Sequence, residues 1–186
     1  MRLHIYALTA IAAPLALGAC ANAGLTNSEK AMASESTAEA PYLKTEVNEL
    51  NKLTSIYIDA AALYKQAADI PDKNNGLKEM LLELHDYRNG EREVIQDRVI
   101  ALGGDPATIG EALGTGHRTF TALRTAVDND SEVAIEEVLR GEEYIRDELA
   151  KTAKTDLTPE SAALIKKLQV SVNAEIKKLE AKDKAI

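Results

Sequence analysis

The stretch "HDYRNGERE", residues 85 to 93, sets His85, Arg88 and Glu91 into a segment otherwise patterned with leucine and isoleucine at helical spacing. Such groups suit three kinds of chemistry. Carboxylates with an imidazole can hold a hard cation, acids and bases can move protons, and an arginine with acids can form a charge-paired layer inside a helical core. Arg88 and Glu91 continue the stripe of Leu77, Leu81, Leu84, Ile95 and Leu102. A straight helix therefore turns both inward with those leucines.

The metal reading makes a demand that can be checked residue by residue. A di-metal carboxylate bundle takes hard oxygen ligands from four helices, and on two of them a histidine three residues after a glutamate, because that spacing aims both side chains inward. Asp59, Glu91, Glu142 and Glu175 offer one carboxylate per helical segment. The histidines do not follow. Val94 stands three residues after Glu91, Ile145 after Glu142 and Lys178 after Glu175, while Leu82 stands three before His85. A looser single-ion site of these carboxylates with His85 is the remaining metal option. The spacing favours a polar layer in which Arg88 or Arg98 pairs with Glu91, Glu142 or Glu175 across the bundle, setting register more than net stability. No cofactor is expected on that reading, with iron or manganese as the alternative. His117 and Arg118, beside glycines, could cradle an anion or contact a partner at the start of a short helix; packing and surface ion pairing explain them more simply. No catalytic residue is assigned: the chain has no nucleophile elbow, Walker loop, dinucleotide glycine pattern, CxxC or HExxH.

The elements that must position these groups follow from periodicity and punctuation. A first helix is predicted from about Lys44 to Asp69, with Val47, Leu50, Thr54, Tyr57, Ala61, Tyr64 and Ala68 at spacings of three and four, stopped by "IPDKNNG". The second begins near Asn75 and ends at "GGDP", where Gly103 can take the left-handed conformation. A long connection follows, and "EALGTGHRTFTALRTAV" predicts one short helix within it. The third helix starts at "DNDSE", capped by Asp130 or Ser131. "TDLTPES" opens the fourth, with Thr158 as N-cap and Pro159 in the first turn. Two tight turns and one long middle connection predict an all-α fold, a four-helix bundle over residues 44–184. It consists of two antiparallel hairpins, with the second and third helices parallel as in ferritin-like bundles.

The amino terminus bears on location. "MRLHIYALTAIAAPLALGAC" carries Arg2, an apolar run from Ile5 to Leu17 and small residues before Cys20, the pattern of a secretory signal over residues 1–19. The run is shorter than the ~20 residues that span a bilayer. "LGAC" is similar to a bacterial lipoprotein box, in which the cysteine is lipidated; Cys20 is the only cysteine in the chain. Residues 20–43, rich in Ala, Ser, Thr and Glu, read as a flexible tether. The expectation is a protein anchored by lipid in the bacterial cell envelope, at the outer membrane and facing the periplasm. The formal charge is −8, and losing Arg2 with the signal makes it more negative. Nucleic acid is therefore a poor partner, and the membrane is met through the anchor alone. No protein partner is identified, and a homo-oligomer is compatible with the pattern.

From Glu49 to Lys182 the chain resembles a bacterial ferritin-like family catalogued as a domain of unknown function, family number 2383. "LNKLTSIYIDAAALYKQAADI", "LGGDPATIGEALGTGHRTFTALR", "LRGEEYIRDELAK" and "DLTPESAALIKKL" carry the resemblance. Its most specific points are Asp59, Tyr64, Gly103, Gly104, Pro106, His117, Arg118, Gly141 and Glu142. The resemblance implies a four-helix bundle related to ferritins and no established reaction. The wider ferritin-like class often binds paired iron or manganese. Two functions are thus weighed: a noncatalytic envelope protein acting through its surface, in binding or stress tolerance, and a ferritin-like metal protein with a degenerate carboxylate site.

Overall fold

The computed structural model describes residues 41–70, 76–110 and 131–186. The expected signal, Cys20 and most of the expected tether lie outside the described residues, as do the expected short helix, His117 and Arg118. Four helices account for most of the rest: α1 (Pro41–Ala67), α2 (Leu77–Ala101), α3 (Ser131–Thr152) and α4 (Pro159–Asp183). No strand occurs among the described residues.

The helix ends show why the chain breaks where it does. Helix α1 is described from Pro41, the first of the described residues, and the expected start at Lys44 lies within it. Helix α2 starts after Gly76, which adopts φ 72°. At its other end Gly103 takes φ 81°, Gly103 N–H donates to Ile100 O at 2.9 Å and Gly104 N–H donates to Val99 O at 3.0 Å. These two bonds form a Schellman stop, as expected for Gly103. At α4, Thr158 occupies the N-cap position and Pro159 follows, but the Thr158 hydroxyl makes no capping bond to its own helix. That part of the expectation is corrected below.

Cross-helix contacts fix the topology. Tyr64 on α1 reaches Glu142 on α3, and Lys52 reaches Glu148, so those helices run antiparallel. Arg88 on α2 reaches Ser171 on α4, and Arg98 reaches Ser161, so that pair is antiparallel too. The hairpins α1–α2 and α3–α4 therefore pack side by side, and α2 runs parallel to α3 across the diagonal. The fold is a four-helix bundle of two antiparallel hairpins.

The core runs through all four helices, from Leu50, Leu53 and Tyr57 on α1 to Leu77, Leu81 and Ile95 on α2, Ile135, Val138 and Ile145 on α3, and Ile165, Leu168 and Val172 on α4. Helix α1 buries more than one stripe: Leu53, Ile56, Ala60 and Leu63 are buried as well as the expected Leu50, Thr54, Tyr57, Ala61 and Tyr64. Helix α3 lies against part of this second stripe, since a Cβ at Gly141 would stand 3.2 Å from Leu63, while the start of the middle connection covers a different face of α1. Residues 104–110 run along α1 over Val47, Asn51, Ser55 and Asp59, which recur every four residues. The Asn51 side chain donates to Asp105 O (2.9 Å) and accepts from Ala107 N–H (2.7 Å), and Ser55 Oγ donates to Ile109 O (3.0 Å). A Cβ at Gly104 would stand 2.6 Å from Val47, and one at Gly110 1.8 Å from Asp59 Oδ1. A side chain at either position would force the facing α1 side chain to move.

Candidate functional site: a polar layer around Arg88

Arg88 sits midway along α2 with its side chain 0 % exposed. Its Nε donates to Glu142 Oε1 at 2.8 Å and its Nη2 to Glu142 Oε2, a bidentate pair between α2 and α3. The Nη1 group donates to Glu91 one turn along α2 and to Ser171 Oγ on α4 at 3.0 Å. From α1, Tyr64 OH donates to Glu142 Oε1 at 2.7 Å. Each helix of the bundle thus places at least one polar group in the same layer.

Local sequence makes the approach feasible. A Cβ at Gly141 would stand 3.2 Å from Leu63 and 3.3 Å from Tyr64, so the glycine before Glu142 lets α1 close on α3. Tyr87 lies over the guanidinium, its ring centroid 5.5 Å from Arg88 Cζ, and Ser171 Oγ lies 3.3 Å from Tyr87 OH. Glu91 stands at the edge of the layer with 11 % of its side chain exposed, whereas Glu142 is 0 % exposed. Tyr57 OH is buried beside this cluster and has no hydrogen-bond partner.

Burial and charge work against each other here. Burial alone would depress the Arg88 pKa; hydrogen bonds and charge from Glu142, then the charge of Glu91, overcome it and push it up. The guanidinium is therefore permanently charged. Burial pushes the Glu142 carboxyl up, more than the opposing pull of Arg88 and Tyr64 brings it down. Tyr57 and Tyr64 are pushed well above the ordinary tyrosine range, chiefly by burial and then by the neighbouring acids. Neither phenol ionises near neutral pH.

The structure brings Arg88, Glu91 and Glu142 together and leaves the other candidates elsewhere. Arg98, about three turns further along α2, donates to Ser161 Oγ (2.7 Å) and Thr158 Oγ1 (2.6 Å) at the start of α4. Glu175 pairs with Lys178 on its own helix at 2.7 Å. Their assignment to the same polar core is corrected: residues facing inward at different heights form separate clusters. Asp59 lies against Gly110 of the connection, on the face of α1 that carries that segment. His85 meets Asp86 (2.8 Å) and Asn89 (3.1 Å) on the outer part of α2. Among the described residues no three His, Cys, Asp or Glu side chains converge as metal ligands. The proposed set of Asp59, His85, Glu91, Glu142 and Glu175 is therefore not assembled.

Sequence reasoning missed the second cluster. Glu46, fully buried near the start of α1, accepts the Thr158 N–H at 3.1 Å and its hydroxyl at 2.7 Å, and Arg98 Nη2 lies 3.9 Å from it. Glu46 thus caps α4 from another helix. Burial would raise its pKa, but hydrogen bonds with Ser161 and Thr158 outweigh burial and hold the carboxyl below its ordinary value. The only sequence signal was an acid at a position of the α1 core stripe, four before Leu50. Tyr64 stands in the predicted α1 stripe and among the specific points of the resemblance, but its spacing gives no sign that its hydroxyl donates to Glu142.

All charged members of the Arg88 layer, with Tyr64, Gly141 and Glu46, fall between residues 45 and 155. That range is matched by the model of a family described as a domain of unknown function, DUF2383. The search of curated proteins returned no match. Helix α4 lies beyond the matched range and supplies only Ser171 to the layer. The family match covers most of the bundle, including every charged group of its central layer, and the chain belongs to the DUF2383 family.

Proposed function

We propose that this chain is a noncatalytic, lipid-anchored protein of the bacterial cell envelope, a bundle that acts through its surface in binding or stress tolerance. The carrying observation is that the buried polar layer at mid-bundle is closed on itself: Arg88 engages both oxygens of Glu142 and one of Glu91. A guanidinium occupies the position from which a cation would be coordinated, and it cannot be deprotonated or displaced as a bound water can. The donor set therefore does not fit a di-iron or di-manganese centre, although the parallel α2 and α3 support a ferritin-like ancestry for the bundle. No reaction step is assigned to it.

Anchoring rests on "LGAC" and the tether-like residues after it. No helix among the described residues is long and apolar enough to cross a membrane. Two measurements test the reading. Cys20→Ala shifts the protein from membrane to soluble fractions and abolishes fatty-acid labelling; unchanged fractionation removes the anchor. Elemental analysis after anaerobic exposure to iron and manganese finds no stoichiometric metal, and retention of one or two ions per chain would favour the ferritin-like metal protein instead.

A further inference from the structure

Helix α2 contains a glycine that its own chain does not require. Gly90 sits mid-helix, where glycine destabilises relative to alanine. It is exposed, its φ is not in the left-handed region, and a Cβ built on it meets nothing within 4 Å. The contrast with Gly104, Gly110 and Gly141 is direct, since each of those is pressed against a neighbour. Gly90 belongs to an exposed stripe formed by Glu83, Tyr87, Gly90, Val94 and Asp97, spaced four, three, four and three residues apart. Within it Tyr87 is 49 % and Val94 46 % exposed. The stripe borders the seam with α4, because Tyr87 meets Ser171 there.

The α4 side of the seam carries lysines in its middle and at its far end, while the one acid of that stripe, Glu160, lies 3.6 Å from Arg98 of α2. Lys167, Ala174 and Lys178 are exposed around Ser171, at matching helical spacing. The Lys178 ammonium, held first by Glu175, also feels Tyr87 and Glu83 across the seam. Arg88 level with Ser171 and Arg98 level with Ser161 fix the heights of the two antiparallel helices. On that register Glu83 stands near the level of Lys178, and Val94 near that of Leu164.

We propose that the α2/α4 face is a docking surface for a second copy of this chain, joined about a twofold axis parallel to the helices, with Gly90 at the point of close approach. Such an axis lays α2 of each copy against α4 of the other, antiparallel and at unchanged height. The register within one chain then becomes the register between two: Glu83 comes opposite Lys178 of the second copy, and Val94 opposite its Leu164. An axis perpendicular to the helices would instead set acid stripe on acid stripe, which charge repulsion opposes. The interface is isologous, so the same face satisfies both copies and association closes at the dimer. A flat anionic lipid surface is a poorer occupant because Glu83 and Asp97 lie on the same face.

Sedimentation velocity of the full chain in a density-matched non-ionic detergent tests this independently of the anchor. The parent sediments as a dimer over concentrations where micromolar affinity shows. Gly90→Trp is monomeric with parental helix content and melting temperature, since the site is open within the chain, and Val94→Asp weakens the dimer in the same way. Gly90→Ala melts higher than the parent. A monomeric parent overturns the proposal, and so does a Gly90→Trp protein as dimeric as the parent. Should Gly90→Trp misfold, Val94→Asp decides alone. A monomeric parent whose Cys20→Ala form still binds vesicles of anionic phospholipid, and loses that binding in Val94→Asp, would assign the face to the membrane and overturn it equally.

Discussion

Two arginines on the same helix, Arg88 and Arg98, do different jobs. Arg88 is sealed in mid-bundle, fully ion-paired with Glu142 and Glu91, and touches α3 and α4 at once. Arg98 keeps 19 % of its side chain exposed and works through hydroxyls at the first turn of α4, with Glu46 behind them. The first cluster stakes a full buried charge on a few partners; the second spreads modest bonds over a helix end that water can still reach. Position along the bundle, more than residue type, decides what a charge contributes.

The comparison breaks most sharply at Glu142. Glu142→Ala strands a buried guanidinium and lowers stability by about 3–5 kcal/mol, read from denaturant unfolding. Replacing Arg88, Glu91 and Glu142 together with apolar residues of similar volume, Arg88→Met, Glu91→Leu and Glu142→Leu, recovers most of that loss, because no charge is orphaned. A triple variant as unstable as Glu142→Ala would mean that the layer contributes more than mutual neutralisation. Tyr64→Phe removes one bond to a carboxylate and costs about 1.5–3 kcal/mol by the same measurement.

The helix-end cluster yields smaller effects. Glu46→Gln weakens a cap made in trans and lowers stability by about 1–2 kcal/mol. Its pH dependence has a definite sign. The folded carboxyl of Glu46 lies below its ordinary value, which in the unfolded chain is about 4.3, and Glu148 behaves alike, burial being outweighed by hydrogen bonds from Lys151 and Lys52. Their stabilising contribution is complete above the unfolded pKa and is lost as pH falls through the lower folded values. These two carboxyls lower the melting temperature on acidification across that window, against the opposite contribution of Glu142, whose folded pKa is raised, so the Glu46→Gln profile falls less steeply than that of the parent. Equal slopes would deny Glu46 its role. The smallest effect is at Tyr57, whose buried hydroxyl lacks a partner: Tyr57→Phe is neutral or stabilises by up to about 1 kcal/mol, and a clear loss would show that the hydroxyl is bonded in solution.

Much of this was legible in the sequence, for identifiable reasons. The stripes of α1 to α4, the stop at Gly103 and the start at Pro159 are local signals, and the helices lie close to where those signals place them. Arg88 and Glu91 were legible because they interrupt a leucine stripe. Which acid would cross to Arg88 was not, because Glu142 and Glu175 face inward equally in sequence and only the relative heights of the helices separate them. Asp59 was misjudged for a related reason: residues 104–110 claim a second face of α1, a tertiary event that periodicity cannot register. Glu46 was invisible because its partner, Thr158, lies on another helix far along the chain.

The central claim is that the layer is held by Arg88 and not by a metal. Thermal unfolding of the parent and of Glu91→Ala, each with and without a strong chelator, tests it most directly. A self-paired layer gives a parent whose melting temperature ignores the chelator and a variant that melts lower by the same interval in both conditions. A parent that loses stability sharply on chelation, beside a Glu91→Ala protein that does not respond, would contradict it.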